Sequence, residues 1–313
     1  MKRILFLLLF SFFWYAFEAQ SFMRPNEWKK YKRELFISVG TSNFLGDLGG
    51  QKGSGKDYSP ADLNFSQSRT AIGVGGRYKL KRSVNIAAKF NYLNVKGDDA
   101  KTDNAVRNNR NLNFKSNIYE LSLRAEVGYQ STKRGSSRYG VRRNYGRMKN
   151  LTHNLYGFAG LGAFYFNPKG KTASGEWVAL RPLHTEGQGL PGGPKQYSNF
   201  SMNFLVGAYY KLTMNKIWSV GVEFCYRKTF TDYIDDVGGR YYDKEYLRTN
   251  VSEESAQMSD PNLGNIPGAT APDGSGLAAQ RGDTQKDAYM SLEITVGYTF
   301  KKARKSARLR SKF

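Results

Sequence analysis

The chain has 313 residues, a formal net charge of +22, a mean hydropathy of -0.59 and a single cysteine, with Gly 33, Tyr 21 and Phe 20. One cysteine, Cys225, excludes an intramolecular disulfide framework and any cysteine-rich metal site. The low mean hydropathy excludes a bundle of membrane helices but not a transmembrane β-barrel, whose strands alternate lipid-facing apolar residues with polar lumen residues and average to a low value.

At the start, Lys2 and Arg3 precede an apolar run from Ile4 to Phe17, and Ala19 offers a small residue at a cleavage point. This layout predicts a secretory signal peptide over residues 1–19. The run is too short to require a transmembrane helix, and no cysteine near the junction serves lipoprotein processing. Residues 20–33 then form a basic segment ahead of the first strand.

Eight segments of alternating character follow. The first is "ELFISVGTSNFL" (34–45). In the second (70–80), Ile72, Val74, Tyr78 and Leu80 oppose Gly73, Gly75, Arg77 and Lys79. The third (83–95) sets Ile86, Ala88, Phe90 and Tyr92 against Asn85, Ala87, Lys89 and Asn91. The fourth (118–129) alternates Tyr119, Leu121, Leu123, Ala125 and Val127 with Glu120, Ser122, Arg124 and Glu126, a pattern no helix face produces. The fifth, "LYGFAGLGAFYF" (155–166), leaves its facing open because glycine falls on both sides. The sixth covers 200–212. The seventh (218–226) sets Trp218, Val220, Val222 and Phe224 against Gly221, Glu223 and Cys225, and the eighth (288–300) runs from Ala288 to Phe300. Lengths of about 9 to 13 residues suit tilted strands crossing a bilayer. The predicted fold class is therefore all-β, an eight-stranded antiparallel transmembrane β-barrel over 34–300.

The connections divide into two kinds. Only "KRS" (81–83) separates strands two and three, and only "TMNK" (213–216) separates six and seven, whereas the alternate links are long and rich in Gly, Asn, Asp and Ser. Short turns on one side and long loops on the other predict an outer-membrane barrel with the short side and both termini periplasmic. The link between strands four and five breaks this rule. It is long and carries Lys133, Arg134, Arg138, Arg142, Arg143, Arg147 and Lys149 with no acid. The tail 301–313 matches it with Lys301, Lys302, Arg304, Lys305, Arg308, Arg310 and Lys312. On this topology the periplasmic pieces carry the whole charge excess of the mature chain. The export signal argues against nucleic acid as the partner. Two readings remain: a solvated rim on anionic headgroups, each Lys or Arg contributing about 1 kcal/mol, and docking to an acidic periplasmic partner through these fourteen residues.

Chemistry has few candidates. His153 and His184 fall on opposite sides of the membrane in this topology and form no dyad. The acids Asp232, Asp235 and Asp236 are the candidate for a divalent cation, since hard cations favour carboxylate oxygens; the same spacing fits a turn in which Asp side chains bond the local backbone. "GVGG" (73–76) precedes no helix and is no phosphate loop. Lumen-facing Arg77, Lys89, Glu120, Arg124, Glu126, Glu223, Arg227 and Glu293 mix signs, which predicts a salt-bridged plug in a barrel narrow enough for side chains to fill. No catalytic constellation and no cofactor site is expected.

The strings "SNFLGDLGG" (42–50), "LNFKSNIYELSL" (112–123), "FYFNPKG" (164–170), "PLHTEGQGL" (182–190) and "EFCYRKTFTDYIDDV" (223–237) together resemble the PorG family of outer-membrane barrels, components of the type IX secretion system of Bacteroidota. The resemblance implies a structural, non-enzymatic role: tying a periplasmic ring of PorK-like lipoprotein and its PorN-like partner to the outer membrane. It supplies no catalytic residues, and the basic linker and tail lie outside the matched strings. The alternative is a small barrel that binds lipid, sugar or another small ligand outside any secretion machine.

Overall fold

A computed structural model of the chain describes residues 27–46, 48, 67–101, 105–132, 152–214, 216–264, 280–282 and 285–302. The predicted signal peptide, the core of the basic linker and the tail beyond Lys302 lie outside the described residues.

Eight antiparallel strands close into a barrel: β1 (Arg33–Leu45), β2 (Arg69–Lys79), β3 (Val84–Asp98), β4 (Asn113–Thr132), β5 (Thr152–Lys171), β7 (Phe200–Met214), β8 (Trp218–Thr229) and β9 (Ala288–Phe300). A short β6 (Trp177–Ala179) pairs with the end of β5 outside the barrel. Each barrel strand bonds its neighbour in chain order, and β9 closes on β1 from Arg33↔Phe300 to Leu45↔Ala288. No helix among the described residues is long and apolar enough to cross a membrane, so strands do the crossing. Among the described residues, α-helices occur only in the long connections: α1 (Ala105–Arg110), α2 (Lys244–Asn250) capped by Asp243, and α3 (Glu253–Ser259) capped by Ser252.

The outer wall is an apolar belt. Leu121, Leu123, Val222, Leu292 and Ile294 are among the side chains left exposed on it. Aromatic rows bound the belt. At the loop end Tyr92, Tyr119, Tyr165 and Phe200 lie side by side across β3, β4, β5 and β7. At the short-turn end Tyr78, Tyr129, Tyr210, Trp218, Tyr298 and Phe300 face outward. Ten residues separate Tyr119 from Tyr129 on β4, which at about 3.3 Å per residue and a tilt of about 40° gives roughly 25 Å of height, the span of an outer-membrane hydrocarbon belt. The barrel is built to cross a bilayer.

The facing of β5 is resolved by its neighbours: Tyr156, Phe158, Phe164 and Phe166 point inward, and Leu155 and Leu161 point out. Several strands also run further than their apolar pattern predicts, β3 to Asp98, β4 from Asn113 and β5 to Lys171. This shortens the β3–β4 connection expected from sequence. The cause is an inversion of polarity. Above the Tyr row the outward positions become Asn94, Lys96, Lys115, Asn117, Asn167 and Lys169, while the inward ones become Leu93, Val95, Phe114, Ile118 and Phe166. Outside the lipid, the barrel wall obeys the rule of a water-soluble protein, with its apolar face inward. That inner face joins Leu48, Leu180, Tyr197, Ile234, Val237 and Met258 from the loops in one core.

Candidate functional site

A closed lumen separates two ends of different character. Within the membrane-spanning part, Glu34, Glu120, Glu126, Glu223 and Glu293 are matched one for one by Arg77, Lys89, Arg124, Lys211 and Arg227. The ion pairs form a continuous path from Lys211 through Glu34, Arg77, Glu126, Arg124, Glu223 and Lys89 to Glu293. Ser291 extends it, accepting from Arg227 at 2.9 Å and donating to Glu293 at 2.8 Å, and Arg227 pairs with Glu120 at 2.8 Å. Every charged group here is nearly or wholly buried. Aromatic faces fill the gaps: Arg77 lies 4.6 Å from Phe36 and 4.7 Å from Tyr209, and Arg124 lies 4.2 Å over Phe158. The glycines of "GVGG" make room for this packing, since a Cβ at Gly73 would stand 2.5 Å from Lys89 and one at Gly75 2.5 Å from Phe36. The eight lumen residues expected from sequence are all in the network; Glu34 and Lys211 join them, and only the strand register across the closure reveals that.

At the short-turn end the barrel opens into a cavity of about 60 Å³ lined by Trp28, Lys32, Glu34, Lys79, Lys211 and Lys216 among others. That holds a few waters, not a sugar or a lipid. Around it lies the described part of the basic rim. The 3-10 helix Glu27–Lys30 is tied to the root of the tail, with Lys302 N–H donating to Lys30 O at 2.8 Å, and to the barrel, with Lys79 N–H donating to Lys32 O at 2.8 Å. Lys29, Lys30, Lys81, Lys301 and Lys302 are exposed. Of the fourteen candidate docking residues, Lys301 and Lys302 are thus placed on this rim. Lys133, Arg134, Arg138, Arg142, Arg143, Arg147, Lys149, Arg304, Lys305, Arg308, Arg310 and Lys312 lie outside the described residues.

The loop end carries a different assembly. Arg281, buried, donates to Thr185 Oγ1 at 3.2 Å, Glu186 Oε1 at 3.2 Å, the Asp236 carbonyl at 2.8 Å and the Ser259 carbonyl at 3.1 Å. Asp236 accepts from Thr185 Oγ1 and Tyr197 OH, and Glu186 accepts from the amides of Gly238 and Gly239. Arg110, held by Asp99 at 2.7 Å, donates in turn to the Arg281 carbonyl. Three long connections are thereby locked into one cap. Burial pushes the Glu186 carboxyl from 4.5 up to about 7, Arg281 opposing and Asp236 adding to the shift. Burial likewise raises Asp236.

These contacts account for two acids of the cluster Asp232, Asp235 and Asp236. Asp235 does bond its local backbone, accepting from Val237 N–H at 3.0 Å, but Asp236 reaches across the cap instead. No cluster of three His, Cys, Asp or Glu side chains suited to a metal ion occurs among the described residues. His153 at the short-turn end meets Tyr210 OH at 2.7 Å and His184 at the loop end meets the Gln188 carbonyl, so the two do not meet. Cys225 is buried in the lumen.

A family model described as a domain of unknown function (DUF6089) matches residues 11–140, through β4 and into the basic linker. No curated protein matches. Among solved structures, the chain is similar to Ail, the attachment invasion locus protein of Yersinia pestis, in complex with the heparin analogue sucrose octasulfate (9% identity, TM-score 0.34, covering 86% of this chain and 99% of that one). It is also similar to the outer membrane protein OprG from Pseudomonas aeruginosa (9%, 0.33, 87% and 98%) and to the outer membrane protein AlkL in DMPC lipid bilayers (11%, 0.32, 92% and 96%). At these values nothing transfers from those proteins to this one, and the barrel rests on its own strand register.

Proposed function

We propose that this chain is an outer-membrane barrel with a structural role, anchoring a periplasmic lipoprotein ring of a type IX-like secretion machine by its short-turn end. The observation that carries the reading is the separation of tasks. The lumen charges are paired and buried, the cavity at its mouth is too small for a sugar or a lipid, three long connections are locked together at the loop end, and the exposed Lys29, Lys30, Lys81, Lys301 and Lys302 gather at the short-turn end. The described residues form a filled membrane plug with exposed lysines on its underside, which supports an anchoring role. The PorG-like strings at 182–190 and 223–237 supply Thr185, Glu186 and Asp236 to the cap, and the resemblance they carry supports the same role.

The test is recovery of partners with the detergent-extracted protein. Acidic periplasmic lipoprotein is expected to co-purify at low salt and to be released as the Debye length contracts from about 8 Å at physiological ionic strength towards about 3 Å at 1 M. Neutralising Arg304, Lys305, Arg308 and Arg310 to Gln is expected to lower recovery and secretion together. Unchanged recovery in a chain lacking 303–313 and carrying a neutral linker at 133–149 would refute docking.

A further inference from the structure

Three rows on the outer wall of β3, β4 and β5 are in direct cross-strand register. Tyr92, Tyr119 and Tyr165 form the first, Asn94, Asn117 and Asn167 the second, and Lys96, Lys115 and Lys169 the third, each row two residues nearer the loop end than the last. All nine side chains face outward. Like charges set directly opposite one another across strands are unfavourable, yet here lysines repeat on three adjacent strands. Lys96 has Asp98 at 3.5 Å, and no carboxylate among the described residues stands within ion-pair distance of Lys115 or Lys169. Trp177 of β6 folds back over the row, its ring 4.1 Å from Lys115 Nζ and 5.9 Å from Lys96 Nζ.

Between the rows lies a hollow of about 330 Å³, walled by Asn94, Lys115, Asn117 and Lys169 and floored by Tyr119 and Tyr165. Its height is set by the polarity inversion. The Tyr row ends the apolar belt, and the Lys row is four residues further along each strand, roughly 10 Å higher at a tilt of about 40°. That is the layer in which lipid phosphates lie, just outside the hydrocarbon core.

We propose that this wall seats the phosphorylated headgroup of an anionic lipid in the loop-side leaflet, with Lys96, Lys115 and Lys169 as phosphate ligands, the Asn row as amide donors, and Tyr119 and Tyr165 against the top of the acyl chains. The inference rests on the membrane-spanning reading. A soluble anion would need the same ammonium groups but would have no use for a floor that continues into the lipid belt through Leu121 and Ala163.

The experiment is native mass spectrometry of the protein released from phosphatidylcholine nanodiscs containing phosphatidic acid as the phosphate-monoester probe. The wild type is expected to retain phosphatidic acid over phosphatidylcholine. The variant K96Q/K115Q/K169Q is expected to lose that retention by about tenfold or more, as three lysines leave the phosphate layer. K96R/K115R/K169R is expected to keep it, and K29Q/K30Q/K81Q, at the opposite end, to keep this retained lipid. Equal retention by the Gln ladder variant and the wild type would overturn the proposal. So would displacement of the lipid by millimolar inorganic phosphate, which would reassign the site to a soluble anion. Failure of the wild type to show a heat-modifiable, membrane-inserted band would instead refute the membrane reading beneath it.

Discussion

Lys89 holds two carboxylates at once, Glu223 at 3.0 Å and Glu293 at 2.8 Å, with all three side chains fully buried. Removing the ammonium leaves two acids facing each other in a low dielectric, and breaking a buried pair in this way costs about 3–5 kcal/mol. Lys89→Met is therefore expected to lower the unfolding free energy, read from urea titration of the heat-modifiable gel shift, by that amount, and adding Glu293→Gln to restore part of it, because the two sites share one interaction. In the cap the sign is set by pH. The Glu186 carboxyl is raised in the folded state, as is that of Asp236, so both hold their protons more tightly folded than unfolded. Their contribution is full below the ordinary carboxylate range and is lost as pH rises through about 7 for Glu186. Protection factors of the Gly238 and Gly239 amides, corrected for intrinsic exchange, are expected to fall by about tenfold between pH 5 and pH 8, a change of about 1.4 kcal/mol. Glu186→Gln should flatten most of this dependence; an equally steep fall in that variant would place the titration elsewhere.

Strands are the elements that read most directly from sequence, and their limits show why. Leu123, 60% exposed and near the middle of the belt between Tyr119 and Tyr129, faces lipid, so Leu123→Arg is expected to cost about 2–4 kcal/mol of folding stability in vesicles. The alternation around it is legible because lipid and lumen impose opposite demands on successive residues. Where the strand leaves the lipid those demands exchange sides, and "YLNVK", "NFKSNIY" and "FYFNPKGK" then look like pattern failure although the pleat continues. The alternation alone therefore stops short of the true ends of β3, β4 and β5. The lumen charges were legible one strand at a time, but Glu34 needed β1 paired with β9 and Lys211 placed across from it before either could be assigned. The cap was not legible: Arg281, Asp236 and Glu186 are far apart in sequence and no local period links them. The inversion also carries a prediction of its own. Replacing Asn94, Asn117 and Asn167 by Leu raises the apolar belt by about 5 Å on three strands, so folding yield is expected to shift towards bilayers of longer acyl chain, since mismatch costs a fraction of a kcal/mol per Å.

For the whole molecule, docking requires that the basic end face the periplasm and the cap face outward. Short turns, the 3-10 helix at Glu27–Lys30 and the root of the tail share one end, while the long connections share the other. The chain supplies a clean way to test the sense of insertion, because its one cysteine, Cys225, is 1% exposed within the lumen and burial pulls it away from reaction with a membrane-impermeant maleimide. Cysteines can then be added singly at Ala173 on the loop end and Lys301 on the short-turn end, both exposed. In intact cells Ala173→Cys is expected to label and Lys301→Cys to remain dark until the outer membrane is permeabilised. The parent chain should stay dark in both conditions. Labelling of Lys301→Cys on intact cells, with Ala173→Cys protected, would turn the cationic rim towards the exterior and leave an acidic periplasmic partner nothing to bind. Labelling in the expected sense fixes the charge distribution as an address. With that sense, the exposed Lys29, Lys30, Lys81, Lys301 and Lys302 face the periplasm, and salt-sensitive association there is the measurement that tests the proposed anchoring.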